Sequence, residues 1–250
     1  MEPSKIKVSF TILVHNEDDS LKKLIEQVTK YNTLWDELVI VDDYSDNSET
    51  INILNKYEDG MAVKVYHNKL NNNFANQKNF AASKCTGDYI FNLDADELMP
   101  DGFMEIYKEI LFINPETDAF RLPRINTVDG ITLKHVESWR WQITSLPTMV
   151  DERAIMYDSD LYSILKAFNL ILNDDKGLIK FLIPIINYPD FQLRIYKRKD
   201  NIQWYGNVHE TLMGYKTFAN FPMEKNYSII HHKIIDRQES QNNYYNTIRR

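Results

Sequence analysis

Short apolar segments alternate with helical segments through the first half of the chain, and this alternation limits the folds open to it. Residues 6–14, 37–43, 61–67 and 88–94 are short and mostly rich in β-branched side chains, as buried parallel strands are. Each parallel return requires a crossover, usually a helix. The pattern therefore predicts an α/β fold with a mainly parallel sheet flanked by helices. The first two helices are indicated by apolar residues at helical spacing, which are Leu21, Leu24, Ile25 and Val28, then Ile51, Leu54 and Tyr57.

The second half of the chain is less regular. Residues 118–128, 191–198 and 226–232 resemble strands, which predicts a smaller mixed region beside the main sheet. Residues 158–186 begin with an amphipathic pattern and continue as an apolar run, which predicts an inserted apolar helix. The polar residues 236–250 predict a surface helix or a partly disordered tail. The pattern of the inserted helix consists of Leu161, Ile164, Leu165, Phe168 and Leu172.

Composition excludes several classes of protein. The chain has 250 residues, is 43% hydrophobic and carries a net charge of -7, so we expect a globular protein for which nucleic acid is an unlikely partner. Its single cysteine, Cys85, cannot form an internal disulfide, which favours a reducing compartment. We find no signal peptide and no apolar stretch long enough to span a bilayer. The prediction is a soluble cytoplasmic protein, with peripheral membrane contact left open.

Three polar clusters follow predicted strands, at residues 15–17, 42–43 and 94–97. Ligands of parallel α/β sheets bind outside the carboxyl ends of the strands, so these clusters predict a site. Asp94, Asp96 and Glu97 would repel one another unless a positive charge lies on them. Hard divalent cations prefer oxygen ligands and can bridge a diphosphate. Such a cation would replace the glycine-rich phosphate loops that this sequence lacks, although an acidic loop tip can also be merely solvated.

At this point the sequence resembles the inverting glycosyltransferase family 2, which has the GT-A fold. SFTILVHNEDDSLKKLIEQV (9–28) resembles the family's opening strand and helix, and LVIVDDYSDNSET (38–50) is similar to its V-D-D-x-S-x-D segment. NFANQKNFAASKCTGDYIFNLDADE (73–97) resembles the helix and strand that lead into its D-x-D motif. More weakly, FQLRIYKRKDNIQWYGNVHETL (191–212) is similar to a stretch of one family subgroup.

The resemblance implies a nucleotide site formed by the first two strands. Leu13, His15 and Glu17 would lie against the nucleotide base, and Asp43 would accept a hydrogen bond from it. Family members often have an aromatic residue where His15 stands, so the base is open, with a UDP-sugar favoured. The alternative for Asp43 is a cap on the following turn, a role that suits Asp42 better.

The resemblance also implies residues for the sugar and the diphosphate. Lys78 would supply a cation near the donor, and Asn79 would contact it. Asp94 and Ala95 would lie at the sugar or ribose, and Asp96 would bind Mn²⁺ or Mg²⁺. Taken alone, Lys78 and Asn79 would be hydrated helix residues.

Two residues of the second half complete the implied site. An inverting transfer needs a base for the acceptor hydroxyl, and we assign this role to Glu210, whose alternative role is structural. His231 aligns with a histidine that many family members use as a metal ligand, and a buried structural histidine is its alternative. Strand alternation points His232 to the opposite face.

The resemblance divides the chain by function. Residues 1–115 would bind the nucleotide-sugar donor, residues 116–235 would form the acceptor-side and catalytic half with the inserted apolar helix near 158–186, and residues 236–250 would be a polar tail. The acceptor is left open among a saccharide, a lipid-linked sugar and a protein. Two other functions are weighed: a sugar-phosphate nucleotidylyltransferase, and a non-catalytic sugar-binding protein of the same fold.

Overall fold

The computed structural model describes residues 2–17, 19–58, 62–151, 159–173 and 179–248. The helices of this part are α1 (Asp19–Tyr31), α2 (Ser48–Glu58), α3 (Phe74–Lys84), α4 (Asp101–Ile113), α5 (Leu133–Ser138), α6 (Ser159–Ala167) and α7 (Ile235–Ile248). The strands are β1 (Val8–Val14), β2 (Glu37–Asp42), β3 (Val63–His67), β4 (Tyr89–Asp94), β5 (Glu97–Leu98), β6 (Ala119–Leu122), β7 (Arg124–Asp129), β8 (Ile143–Thr144), β9 (Val150–Asp151), β10 (Ile171–Asn173), β11 (Ile179–Leu182), β12 (Ile185–Ile186), β13 (Gln192–Lys197), β14 (Gln203–Tyr205), β15 (Thr211–Met213), β16 (Phe218–Asn220) and β17 (Ile229–Ile234).

A seven-stranded sheet forms the centre, with the strand order β16-β6-β13-β4-β1-β2-β3. β4, β1, β2 and β3 are parallel, as predicted, and β13 runs antiparallel between β4 and β6. Leu13 lies opposite Asp94, and Val14 lies opposite Asp42. The predicted polar clusters that follow β1, β2 and β4 therefore meet at one edge of the sheet.

Apolar residues cover both faces of this sheet. On one face, α1, α2 and α4 enclose the largest core cluster, in which the rings of Phe10, Phe91 and Tyr107 pack together. On the other face, α3 and the β14-β15 hairpin pack over Val41, Ile90 and neighbouring side chains. Aromatic pairs of this kind add stability beyond the area they bury. The sheet is consequently a rigid support for the loops at its carboxyl edge.

The second half adds a smaller sheet, in the order β5-β17-β7-β12-β8. The predicted strand at 118–128 is two strands, because Pro123 cannot donate a ladder hydrogen bond and separates β6 from β7. β6 joins the central sheet and β7 joins the smaller one. In the smaller sheet His231 lies opposite both Glu97 and Asn126, so β17 runs alongside the acidic loop that follows β4.

The predicted inserted helix is shorter than expected. α6 ends at Ala167. Asn169 has a positive φ of 55°, which lies outside the right-handed helical region, so the helix cannot continue through it. Leu172, which was predicted to lie on the helix, lies in β10, and the apolar run beyond residue 178 forms β11 and β12. β11 pairs antiparallel with β10 and β9, whereas β12 pairs antiparallel with β7 and β8. Within the described ranges, no helix is both long and apolar enough to cross a membrane.

Glu37 holds the amino-terminal ends of the central strands together. Its buried carboxylate accepts hydrogen bonds from the Ser9 hydroxyl (2.7 Å), the Lys64 ammonium (2.7 Å) and the Thr86 backbone N–H (2.5 Å). Burial alone would raise the pKa of Glu37, but the bonds from Lys64, Thr86 and Ser9 outweigh it and lower the pKa from 4.5 to about 2. The ionised carboxylate therefore stabilises the fold.

We expect Glu37→Gln to destabilise the protein in a pH-dependent way. Since the folded-state pKa lies below the unfolded value, the stabilisation is complete above about pH 4.5 and disappears as the pH falls toward 2. The free energy of unfolding in urea should drop by roughly 2–3 kcal/mol at pH 7, and the deficit should shrink between pH 5 and about pH 3. Glu105→Gln, at an exposed site on α4, is the control and should change little. A deficit that does not vary with pH would contradict this assignment.

Candidate active site

A cavity of about 710 Å³ opens at the carboxyl edge of the central sheet. Its walls come from the ends of β1 and β4, from α3, from the segment around β15, and from β17 and α7. This is where ligands of parallel α/β sheets bind. The sequence-predicted residues that line the cavity are Leu13, Glu17, Lys78, Asp94, Ala95, Asp96, Glu210 and His231.

The other three predicted residues do not line this cavity. The Nδ1 atom of His15 lies 3.0 Å from the carbonyl oxygen of Asp43, and an Asp43 carboxylate oxygen accepts the Leu70 backbone N–H at 2.8 Å. The Asn79 side-chain amide makes two hydrogen bonds to the Trp204 backbone, at 2.8 and 2.9 Å. Asn79 thus holds β14 against α3. The roles of all three toward a donor stay predictions.

The acidic loop after β4 is neutralised by two arginines of the second half. Glu97 is completely buried, and its Oε1 lies 2.5 Å from Nη2 of Arg194 and 3.1 Å from Nη1 of Arg124. Arg194 Nη2 also lies 2.5 Å from Oδ2 of Asp94. Burial would raise the pKa of Asp94, but the Arg194 charge outweighs it and holds that pKa well below its usual range. Sequence reasoning did not find these arginines, since a single arginine in a strand carries no distinctive spacing.

A hydrogen-bonded chain continues from Arg124 to the predicted metal ligands. Arg124 Nη2 lies 2.8 Å from an Asp190 carboxylate oxygen, and that oxygen accepts a hydrogen bond from the Asn126 amide nitrogen at 2.7 Å. The Asn126 oxygen therefore faces His231 Nδ1, 2.7 Å away, and accepts its proton. The lone pair of His231 Nε2 is left facing Asp96 Oδ2 at 3.4 Å. This tautomer is the one that binds a metal through Nε2.

Asp96 and His231 are chemically suited to share a cation. A carboxylate oxygen and an imidazole lone pair that face each other need a proton or a metal ion between them. Burial would raise the pKa of Asp96, but the interaction with His231 outweighs it and lowers the pKa to about 2. Within the described part of the chain, no group of three or more Asp, Glu, His or Cys side chains could hold a metal. Two protein ligands fit Mg²⁺ or Mn²⁺ when phosphate oxygens and water supply the others.

Glu210 forms an ion pair with Lys78, and both side chains line the cavity. The Lys78 ammonium also lies 4.4 Å from the centre of the Trp204 ring. Both charged side chains are largely buried, with 7% and 14% of the Lys78 and Glu210 side chains exposed. The ion pair and the ring contact hold the Glu210 carboxylate at the cavity. Lys78 was predicted to supply a cation near the donor, and in the structure it pairs with the candidate base.

Helix α7 covers part of the cavity. The polar sequence of residues 236–250 did not predict this position. Arg237 pairs with Glu17, and the Tyr244 hydroxyl donates to Asn72 Oδ1 at 2.9 Å. In β17, just before α7, the Lys233 ammonium lies 3.0 Å from Gln238 Oε1 and 2.9 Å from Gln241 Oε1. Strand alternation places Lys233 on the same face as His231, and from this spacing the sequence could have predicted that Lys233 belongs to the site. Polar helices without an apolar stripe give no comparable signal.

Comparison with known proteins identifies the family. The model of Glycosyl transferase family 2 matches residues 9–160, which is more than half of the chain. The chain therefore belongs to glycosyltransferase family 2. The match extends from β1 through the acidic loop after β4 and beyond the α5 region.

Individual relatives are more distant. The chain is 27% identical over 187 residues to the poly(ribitol-phosphate) beta-N-acetylglucosaminyltransferase TarP of Staphylococcus aureus, an alignment of 70% of this chain and 52% of TarP. It is 28% identical over 120 residues to the lipopolysaccharide core biosynthesis glycosyltransferase LpsC of Rhizobium meliloti, covering 48% of this chain and 43% of LpsC. The chain thus spans about half the length of these curated relatives.

A solved structure confirms the predicted fold. S. aureus TarS 1-349 in complex with UDP-GlcNAc matches 91% of this chain and 59% of TarS, with a TM-score of 0.56 and 15% sequence identity. At that identity the likeness concerns the fold alone. The chain has the GT-A type of α/β fold that the sequence predicted.

Proposed function

We propose that the protein is an inverting glycosyltransferase that moves a sugar from a nucleoside-diphosphate sugar to an acceptor hydroxyl with the help of a divalent cation. The observation that carries the proposal is one cavity lined by an Asp96–His231 pair suited to a cation and by a separate carboxylate, Glu210, that is paired with Lys78. Membership of the family supports the reaction class. TarS, which shares the fold, was solved with UDP-GlcNAc, so a UDP-sugar is the first donor to test.

In this mechanism the donor diphosphate binds between Asp96, His231 and Lys233. When bound, Mn²⁺ or Mg²⁺ supplies positive charge that stabilises the departing diphosphate. Lys233 adds an ammonium group that is held toward the cavity by two neutral glutamines, and burial lowers its pKa. Asp94 is held on Arg194 at the end of β4, so its backbone and that of Ala95 form a fixed wall for the sugar.

Glu210 acts on the acceptor. Its carboxylate takes the proton of the acceptor hydroxyl while the hydroxyl oxygen bonds to the anomeric carbon and the bond from that carbon to the diphosphate oxygen breaks. Attack from the face opposite the diphosphate inverts the configuration. The ion pair with Lys78, whose ammonium lies over the Trp204 ring, holds the carboxylate in place before the acceptor arrives.

Replacing Asp96 with alanine should abolish metal-dependent donor binding without unfolding the chain. A thermal-shift screen of nucleotide sugars with MnCl₂ first selects the donor, because a ligand of the native state raises its melting temperature. Titration calorimetry should then show a loss of at least about 100-fold in donor affinity for Asp96→Ala. Asp129→Ala is the matched control, since Asp129 forms an exposed pair with His232 at 3.1 Å. Undiminished manganese-dependent binding in Asp96→Ala would exclude this metal site.

Glu210→Gln should separate binding from chemistry. We expect its donor affinity to stay within about threefold of wild type, because the amide keeps the size of the side chain. The release of UDP by slow hydrolysis of the donor should fall by about 10²- to 10⁴-fold, because the base is lost. Glu224→Gln, at an exposed site, is the control. An equal loss of affinity and turnover would make Glu210 a structural residue, and the release of pyrophosphate in the presence of a sugar phosphate and a nucleoside triphosphate would indicate a nucleotidylyltransferase.

A further inference from the structure

Most of the charged side chains that line the cavity are paired with one another. The cations without such a partner indicate where an anionic ligand could bind. Four lining carboxylates lie beside an arginine or a lysine of the same lining, and the fifth, Asp96, faces His231. Among the described residues, two lining cations have no carboxylate within ion-pair distance, and these are Lys233 and Arg121. Lys233 belongs to the diphosphate site described above. The pairs are Glu17 with Arg237, Asp94 with Arg194, Asp96 with His231, Asp190 with Arg124, and Glu210 with Lys78.

Arg121 lies in the wall that belongs to the second half of the chain. It follows Phe120 in β6, with Leu193 and Asn220 as its strand neighbours. Its guanidinium carbon lies 4.2 Å from the centre of the Phe218 ring. Within the described ranges its side chain makes no hydrogen bond or ion pair, so its five N–H donors have no protein acceptor there.

The contact with Phe218 orients the guanidinium. A guanidinium stacked on an aromatic ring is held by its face, while the N–H groups around its edge stay available. Those N–H groups match the spacing of carboxylate and phosphate oxygens and can bind them in pairs. The protein as a whole carries a net charge of -7, which repels anions. An anion that binds at this wall of the cavity therefore requires a cation close by, and Arg121 supplies one.

The position of Arg121 relates it to the candidate base. Phe218 and Tyr215, whose rings contact each other edge to face, follow Glu210 on the same segment of chain. Tyr215 also packs on the core cluster that contains Trp204, the ring that holds Lys78 beside Glu210. Arg121 and Glu210 consequently line the same cavity, and the aromatic residues that pack beside them belong to one connected group.

We propose that Arg121 binds an anionic group of the acceptor, a phosphate or a carboxylate, while an acceptor hydroxyl reaches Glu210. The inference rests on the proposed glycosyl transfer and narrows its acceptor to anionic saccharides or polyols. The anionic group takes no part in the reaction. It positions the acceptor, so Arg121 acts as a specificity-determining residue.

The test compares three sugars of similar size that differ in charge. With UDP and MnCl₂ at saturation, so that the diphosphate site is filled, glucose 6-phosphate, glucuronate and glucose are titrated calorimetrically into wild type. We expect the preferred anionic sugar to bind at least about tenfold more tightly than glucose, since hydrogen bonds to charged groups are the stronger ones. Arg121→Met should remove this preference and leave the affinity for glucose unchanged. Comparison of the two anionic sugars distinguishes phosphate from carboxylate.

Two variants control for charge and for folding. Lys216→Met removes the same charge from an exposed site outside the cavity and should keep the preference. Arg121→Gln replaces Arg121→Met if the latter does not fold. Equal binding of all three sugars by wild type, or an unchanged preference in the Arg121 variant, would overturn the inference. The proposed function fails separately if wild type binds no nucleoside diphosphate with manganese. The three sugars are then titrated without nucleotide into wild type and Arg121→Met, and this comparison still decides whether Arg121 binds anions.

Discussion

The completely buried carboxylate of Glu97 is the interaction on which the site depends. It lies in β5, directly after the end of β4, and its partners Arg124 and Arg194 come from the strands β7 and β13 of the second half. Removing one partner of a buried ion pair leaves an uncompensated charge and typically costs several kcal/mol. Glu97 therefore joins the two halves of the chain at the point where the cavity opens. The repulsion expected among Asp94, Asp96 and Glu97 is thus offset by protein groups before any ligand binds.

This arrangement assigns a different partner to each carboxylate of the acidic loop. Asp94 and Glu97 are held by the arginines, whereas Asp96 faces His231 and the cavity. Because Asn126 fixes the tautomer of His231, the pair presents one oxygen and one nitrogen lone pair in a fixed orientation. The same cavity is lined by Glu210, which is paired with Lys78. The proposed cation site and the proposed base are therefore formed by different side chains of one cavity, as the proposed reaction requires.

The first half could be predicted in detail because its signals are local. The apolar patterns predicted β1, β2, α1 and α2, and the family resemblance pointed to Asp96 and Glu210, which both line the cavity. The placements that sequence reasoning missed depend on distant contacts. Arg194 contacts Asp94 across 100 positions of sequence, and Arg237 contacts Glu17 across 220. No local pattern encodes such pairs, and the polar α7 has no apolar stripe to mark its buried side.

The inserted region shows a second limit of the sequence. The spacing from Leu161 to Leu172 fits a helix, but the positive φ at Asn169 ends the helix early and Leu172 lies in a strand. For short apolar runs, helix and strand periods are hard to distinguish. Asn79 shows the same limit at the level of one side chain, since its place on α3 was foreseen but its two bonds to the Trp204 backbone were not.

The most direct test of the account is a crystal structure of the protein with UDP-GlcNAc and Mn²⁺, or with the donor chosen by screening. We predict an ion bound by Asp96 Oδ and His231 Nε2 and by oxygens of the diphosphate, with Asp94 and Glu97 still on Arg194. An ion bound elsewhere, or a donor seated away from Asp96 while His231 still pairs with that carboxylate, would contradict the central claim.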